Sequence, residues 1–319
     1  MTNHNWQNEF EENFLSIDED KIKKAYELKN ENFPAKLYKY RTVNEYSLDC
    51  LFNKQIWLDN LNNYNDIYEG YVCFNSLEVI KSILIKNIQK KPPSDDHSLE
   101  SFPKVLECIK ESKNKEELIE NLSNFNNQNF PKPAEEYYND GFSVLKAKKN
   151  ELINNIQTST KICSFSTVKP FGNEDNNNQL LWAHYGNSYK GFCIEYDTKN
   201  IKDKLNIYPV NYSEILDITS FLNNAINNKE TPLLFPYYIP TRKNSIWKYE
   251  KEWRFISIDN DPIKSPSSNK QDLMPNAIYL GPKISKVNEF LLKEIADYLK
   301  ITACKITFSD DESSLKCET

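Results

Sequence analysis

Apolar residues recur along this chain at two spacings, and the spacing changes with position. In residues 1–32, Phe10, Phe14, Leu15 and Ile17, then Ile22, Ala25, Tyr26 and Leu28, fall at helical intervals. That spacing predicts one or two amphipathic helices, ended by Pro34. Leu37-Tyr38-Lys39-Tyr40-Arg41 reads as a short strand. Thr42 followed by Glu45 offers a helix start, a Thr cap with Glu three residues on, for a helix carrying Tyr46, Leu48, Leu51 and Phe52. Ile56-Trp57-Leu58 predicts a second strand, and the asparagines between Asn60 and Asp66 predict a loop. From Val72 to about Asn155 the stripe Leu77, Ile80, Ile83, Leu84 and Ile88 is helical. The Lys-, Glu- and Asn-rich sequence after it reads the same way, with loops at 91–96 and 126–129. Strand patterns return at Ile162–Ser166, Gly191–Tyr196, Ile207–Tyr212, Glu252–Ile256, Ala277–Leu280 and Lys305–Phe308, with helices at 214–228 and 285–299.

Strands broken by irregular helices, with no regular βαβ alternation, predict an α+β fold. The reading is a single domain over 1–319. Residues 1–36 form N-terminal helices, 37–74 and 156–310 the α+β core, and 75–155 a helical insertion.

Composition narrows the chemistry. There are 6 glycines in 319 residues, where average usage of roughly 7% would give about 22. So few exclude a Gly-rich phosphate loop, a collagen-like repeat or a flexible linker. Asparagine is abundant and is expected to take the left-handed turns that glycine usually takes. Acidic residues number 46 against 40 basic, a net charge of −6, so an extended nucleic-acid face is not the default. Local patches remain open: Arg242, Lys243 and Lys248 make one candidate, and the stretch 86–91 another. Aromatics reach 13%, enough for a packed core. No apolar run is long enough for a membrane helix, and Met1–Glu12 has no apolar leader, so a cytoplasmic location is expected. Seven scattered cysteines with no CxxC pair read as small hydrophobes in a reducing compartment, with no zinc spacing.

Three stretches could carry chemistry. His184 sits among aromatics in Leu181-Trp182-Ala183-His184-Tyr185-Gly186, either as a half-buried structural histidine or as a donor or general base. Gly186 and Gly191 have the spacing of a phosphate loop, but Phe192 and Cys193 follow where lysine and a hydroxyl residue are needed. Nucleotide hydrolysis by that route is excluded. Trp247-Lys248-Tyr249-Glu250-Lys251-Glu252-Trp253-Arg254 is the densest cluster. On one strand Glu250, Glu252 and Arg254 would share a face, so that one glutamate pairs with Arg254 and the other acts on a substrate. Asn65, Asp66 and Glu69 read as a turn or helix cap. A metal site from Asp66, Glu69, Glu250 and Glu252 is conceivable, but no metal is expected.

Together, Leu37–Arg41, Asn65-Asp66 with Glu69, Leu181–Tyr185 with Lys190-Gly191-Phe192, and Tyr249–Arg254 resemble the bacterial domain-of-unknown-function family 2971 (DUF2971). Ile278–Lys283 looks like its closing motif. The resemblance spans about 37–308, with 75–155 as a variable insert and Ile67 where the family usually has proline. The family name carries no activity. The order of elements is also similar to ADP-ribosyltransferases that modify DNA or RNA ends. That second resemblance implies a mixed or antiparallel split-sheet core and NAD as substrate. It implies Arg41 on the first strand, a substrate loop with Asn65, Asp66 and Glu69, and Glu252, or else Glu250, as the late acid. His184 would donate a hydrogen bond. Tyr40, Arg41, Trp182, Tyr185 and Arg254 would contact NAD. The target would be a nucleic acid or a protein, with no membrane partner, as in a toxin or anti-phage effector. Two rivals stand beside it. One is a non-catalytic nucleotide- or partner-binding module in which Glu250, Glu252 and Arg254 form an ion-pair network. The other is a metal-dependent nuclease or hydrolase. Convergence of Arg41, His184 and Glu252 on one cleft separates these readings.

Overall fold

Residues Lys36–Arg41 (β1) alternate in burial along most of their length, and this strand lies in the interior of the largest sheet. The structure, a computed structural model, describes residues 5–64, 66, 68–90, 96–124, 133–172, 177–201, 204–213, 215–259, 269–309 and 314–318. The sequence-predicted loops at 91–96 and 126–129, and the positions Asn65 and Ile67, lie wholly or largely outside them.

The remaining strands are Gln55–Trp57 (β2), Asp59–Asn60 (β3), Val72–Cys73 (β4), Thr160–Ser166 (β5), Phe192–Asp197 (β6), Ile207–Pro209 (β7) and Asn211–Tyr212 (β8). They continue with Leu216–Asp217 (β9), Arg242–Lys243 (β10), Glu252–Ile258 (β11), Lys270–Asp272 (β12), Ala277–Leu280 (β13), Thr302–Phe308 (β14) and Leu315–Glu318 (β15). The α-helices are Asn5–Phe14 (α1), Glu19–Glu31 (α2), Glu45–Phe52 (α3), Ser76–Lys90 (α4), Asp96–Glu111 (α5) and Lys115–Asn124 (α6). They continue with Ala134–Ser159 (α7), Asn177–His184 (α8), Thr219–Ile226 (α9), Phe235–Tyr238 (α10) and Lys286–Leu299 (α11). Parallel and antiparallel pairs share one sheet and irregular helices break the strand order, so the fold is α+β, as the lack of a regular βαβ repeat in the sequence implies. The start of α3 differs from expectation. Its cap is Asn44, not Thr42: the Asn44 side chain accepts from Ser47 N–H, and the Ser47 hydroxyl accepts from Asn44 N–H.

The chain clusters into two compact units. The first comprises Met1–Glu69, Gln157–Glu214 and Pro236–Thr319. Its sheet runs β15-β14-β13-β6-β1-β5-β11-β7, with β3 added to β5. β1 pairs with β6 along its whole length, from Lys36↔Asp197 to Arg41↔Phe192. On its other side β1 meets β5 at a single registered pair, Tyr38↔Ser166. The far end of β5 is taken by β3, through Asp59↔Ile162 and Asn60↔Lys161. Between these two contacts, residues 163–165 of β5 have no strand partner on that edge among the described residues, and the sheet opens there. Leu37, Phe165, Phe192, Tyr196 and Trp253 pack one apolar cluster. Tyr38, Tyr40, Trp182, Cys193 and Tyr279 pack another.

The second unit is Gly70–Ile156 together with Ile215–Phe235, a stretch that the sequence pattern places with the core. Val79, Ile80 and Leu84 of α4 meet Val105, Ile109, Leu118, Leu122, Tyr138 and Leu145 in one helical core. β4 and β9 pair in parallel, and the rings of Phe221 and Phe235 stack at 3.9 Å.

The backbone is tight where α8 leads into β6. Asn187, Ser188 and Tyr189 run left-handed in succession (φ 49°, 52° and 70°), and Gly191 N–H closes the turn on the Gly186 carbonyl at 2.8 Å. A Cβ on Gly191 would overlap the Arg41 carbonyl oxygen, and one on Gly281 the Tyr189 carbonyl oxygen. The expectation that asparagine serves the left-handed positions is only partly met. Asn187 and Asn228 do so, but so do Lys54, Ser188, Tyr189, Lys251 and Lys300. The cysteine expectation is also corrected. Cys304 and Cys317 form a disulfide, with Cα atoms 5.8 Å apart on the paired strands β14 and β15. They lie thirteen positions apart in the chain, which makes no recognisable spacing.

Candidate functional site

The gap beside β5 is the mouth of a cavity of about 250 Å³. Its walls include Lys39, Tyr40 and Arg41 from β1, Asp59 and Tyr64 beyond it, and Ser164–Ser166 of β5. Tyr185, Lys243, Trp247, Glu250 and Glu252 complete it. Two side chains span the missing ladder: Lys39 Nζ donates to the Ser164 carbonyl at 2.9 Å, and the Tyr64 hydroxyl to the Ile162 carbonyl at 2.9 Å. A second, wider cavity of about 880 Å³ shares Tyr40, Arg41, Trp57, Asp59 and Tyr185 with the first. It adds Tyr46, His184 and Lys270.

Glu250 and Glu252 converge, but not for the reason strand alternation suggests. Glu250 ends a 3-10 turn, Ser245–Glu250, and Lys251 is left-handed (φ 46°, ψ 54°). The strand begins only at Glu252. The reversal is held by Thr167 N–H on the Lys251 carbonyl at 3.1 Å and by the Ser166 hydroxyl on the Glu250 carbonyl at 2.5 Å. Glu252 N–H in turn donates to the Tyr212 hydroxyl at 2.7 Å.

This turn delivers both glutamates into a buried charge network. Lys243 Nζ lies 2.6 Å from Glu250 Oε2, 3.2 Å from Glu252 Oε2 and 3.8 Å from Glu69 Oε1. Arg254 grips Glu69 with both terminal nitrogens at 2.7 Å each, and its Nη2 also reaches Glu252 Oε2 at 2.9 Å. Three carboxylates therefore face two cations, an excess of one negative charge when all are ionised. The excess falls on Glu250: burial and the neighbouring Glu252 charge raise its pKa, against Lys243 and the hydrogen bonds of Lys243 and Tyr185. Burial also acts to raise Glu252, but the charges of Arg254 and Lys243 outweigh it and bring it down to about 2. Two carboxyl groups two residues apart are thus pushed in opposite directions, as happens where one group must stay ionised and another carry a proton. Tyr185 donates to Glu250 Oε1 at 2.6 Å, and burial, then the Glu250 charge, push its phenol up. Burial, then the Glu250 charge, push Tyr249 up to about 12.

The anticipated site residues divide. Arg41, Tyr40, Tyr185, Glu250 and Glu252 line the inner cavity. His184 lies on the outer one, exposed, its ring 6.1 Å from Tyr249 and 6.4 Å from Trp247. Asp66 reaches the inner wall, and Asn65 lies outside the described residues. Glu69 borders the cavity, but both its oxygens are on Arg254, so it is an anchor rather than a substrate contact. Two expected NAD contacts fall away from both cavities. Trp182 is fully buried, its Nε1 donating to the Pro170 carbonyl at 2.8 Å and its ring edge-on to Tyr40. Arg254 is 0% exposed and spends itself on Glu69, Glu252 and the Pro240 carbonyl. The supposed basic patch loses two of its three members, while Lys248 stays exposed. Lys243 is buried among glutamates, and Arg242 is held by Glu11, Tyr238 and Ser213.

Lysine rarely sits fully buried, so the sequence holds no sign that Lys243 joins the two glutamates. Trp57, Asp59 and Tyr64 also escape a sequence reading as site residues, because their place depends on the opening in the sheet. Among the described residues, no side-chain hydrogen bond or ion pair engages the Arg41 guanidinium. Among the same residues, no cluster of three or more His, Cys, Asp or Glu is arranged to hold a metal ion. No helix among them is long and apolar enough to cross a membrane.

Residues 181–255 match the family described as protein of unknown function, DUF2971. The matched stretch carries Tyr185, Lys243, Glu250, Glu252 and Arg254, while Arg41 and Glu69 lie outside it. No curated protein and no solved structure matches the chain.

Proposed function

We propose that the paired cavities bind NAD and that the chain is an ADP-ribosyltransferase-like, NAD-consuming protein acting on a nucleic-acid or protein target. The observation that carries this reading is that Arg41 and Glu252, more than two hundred residues apart in the chain, border one cavity with opposite charges. An inner volume of about 250 Å³ is below the range of roughly 300–1,000 Å³ usual for ligand sites. The outer cavity supplies the remainder. Arg41, engaged by no other described side chain, suits a phosphate, and Trp57 and Tyr185 offer aromatic faces.

The chemistry asked of the residues is limited. When the bond between ribose C1′ and the nicotinamide nitrogen breaks, nicotinamide leaves neutral with the bonding pair, and positive charge grows on the ribose. Glu252, ionised at every ordinary pH, stabilises that charge through Oε1, since both cations occupy Oε2. The attacking group forms the new bond to C1′ and gives up its proton, for which Glu250, with its raised pKa, is the acceptor.

NAD consumption and target labelling with wild type and Glu252→Gln test this. Loss of about 10²–10³ in rate is expected for the variant. No NAD turnover with any nucleic-acid or protein target overturns it. One observation favours a second reading: Glu250, Glu252 and Arg254 do form an ion-pair network, as a non-catalytic nucleotide-binding module would have. NAD that raises the melting temperature and is recovered unaltered supports that alternative.

A further inference from the structure

We propose that Arg254 and Glu69 are a positioning pair for Glu252, holding its carboxylate by Oε2 so that Oε1 is presented to the cavity; this rests on the reading of Glu252 as the acid of an NAD-cleaving site.

The geometry is over-determined for a simple ion pair. Arg254 bonds Glu69 Oε2 through Nη1 and Glu69 Oε1 through Nη2, both at 2.7 Å. A planar guanidinium held on both prongs has one orientation. The Pro240 carbonyl, 2.6 Å from Nη1, fixes it further. From that fixed base Nη2 reaches Glu252 Oε2 at 2.9 Å. Lys243 takes the same oxygen at 3.2 Å. No bond among the described residues engages Oε1, and Glu252 borders the cavity. The Glu252 backbone is set independently by Tyr212 and by its register with Ser166.

Stability alone does not account for this arrangement. A buried ion pair is seldom better than well-packed apolar side chains of similar volume. Arg254 also leaves its Nε buried without a partner, an omission that lowers stability. A residue chosen for packing would not carry that cost. Glu69 follows the Asp66 turn at the end of its segment, so the pair also ties that segment to the position of Glu252.

The test uses the full chain with Arg254→Lys, which keeps the charge and loses the fork, and Glu69→Gln, which keeps the shape and loses the charge. Carbon-detected NMR of labelled glutamate carboxyls follows Glu252, assigned by the resonance missing in Glu252→Gln. In Arg254→Lys Glu252 is expected to titrate at higher pH than in wild type, and in Glu69→Gln, which removes a neighbouring negative charge, at lower pH. In Arg254→Lys, kcat for NAD cleavage is expected to fall about 100-fold, with KM changing far less. If the melting temperature falls while the Glu252 titration and kcat stay put, the pair is only a brace and the proposal is overturned. If Arg254→Lys does not fold, the kcat of Glu69→Gln decides: a fall with KM changing far less supports the pair, and an unchanged kcat overturns it. If wild type cleaves no NAD, the functional reading fails, and the NMR titration still decides whether this pair holds Glu252.

Discussion

Tyr185 donates a 2.6 Å hydrogen bond to Oε1 of Glu250 and so joins the end of α8 to the turn before β11. Tyr185→Phe removes the donor and leaves a buried carboxylate oxygen without it. The expected cost is about 1.5–3 kcal/mol, read as a lower urea midpoint with an unchanged slope. An unchanged midpoint would mean that water replaces the phenol at no loss.

Acid stability is set in part by Glu252. Its pKa is near 2 in the folded chain and 4.5 in the unfolded reference. Between these values the unfolded state binds more protons, so stability rises with pH and is lost as pH falls towards 2. The effect is on the order of 3 kcal/mol. Glu250, whose pKa is raised, acts oppositely above 4.5. Glu252→Gln is expected to flatten the acid limb of a pH series of melting curves.

Lys29 controls the alkaline side. Burial brings its pKa from 10.5 to about 7, with Nζ on the Lys204 carbonyl at 3.0 Å and over the Tyr208 ring. The unfolded state binds more protons between pH 7 and 10.5, so this residue makes stability rise with pH through that window. Below pH 7 its contribution is constant and unfavourable. In Lys29→Met the slope between pH 7 and 10 is expected to flatten, whatever the change in absolute stability. A slope equal to wild type would refute the assignment.

Arg41 is expected to govern affinity. Loss of a charge-assisted contact to phosphate is worth about 1.5–3 kcal/mol, or roughly a 10- to 100-fold weaker Kd for NAD. Calorimetric titration of Arg41→Ala and Arg41→Lys checks it, with Lys recovering part of the loss. Equal binding by Arg41→Ala would remove Arg41 from the site.

Gly191→Ala places a methyl group on the Arg41 carbonyl oxygen. Backbone cannot yield as a side-chain tip can, so a loss of about 1–3 kcal/mol is expected, together with weaker NAD binding through displaced Arg41. A variant with wild-type stability and affinity would show that the turn relaxes freely.

Much of the framework is readable because it is written in local alternation. Leu37–Arg41, Ile162–Ser166 and Ala277–Leu280 alternate or run apolar, and each is a strand. A regular strand would bring Glu250 and Glu252 together, yet their convergence comes from the left-handed Lys251, which residue type does not announce. Trp182 and Arg254 have the chemistry of ligand contacts, and only three-dimensional packing reveals that both are wholly enclosed. Lys243 reads as surface in the sequence because lysine is seldom buried, and its partners Glu250 and Glu252, seven and nine residues on, meet it only through the fold of the intervening turn. The cavity itself is not legible there, since it is defined by pairs that do not form.

The single registered contact between β1 and β5 leaves backbone carbonyls of β5 to be met by side chains. Lys39 reaches across to the Ser164 carbonyl, and Leu37 shares an apolar cluster with Phe165, so the two strands stay joined where the ladder does not form. Ser166 also holds the Glu250 carbonyl. The pair Tyr38 and Ser166 thus ties the strand that carries Arg41 to the turn that carries Glu250, and a substitution at Ser166 acts on both walls of the cavity at once.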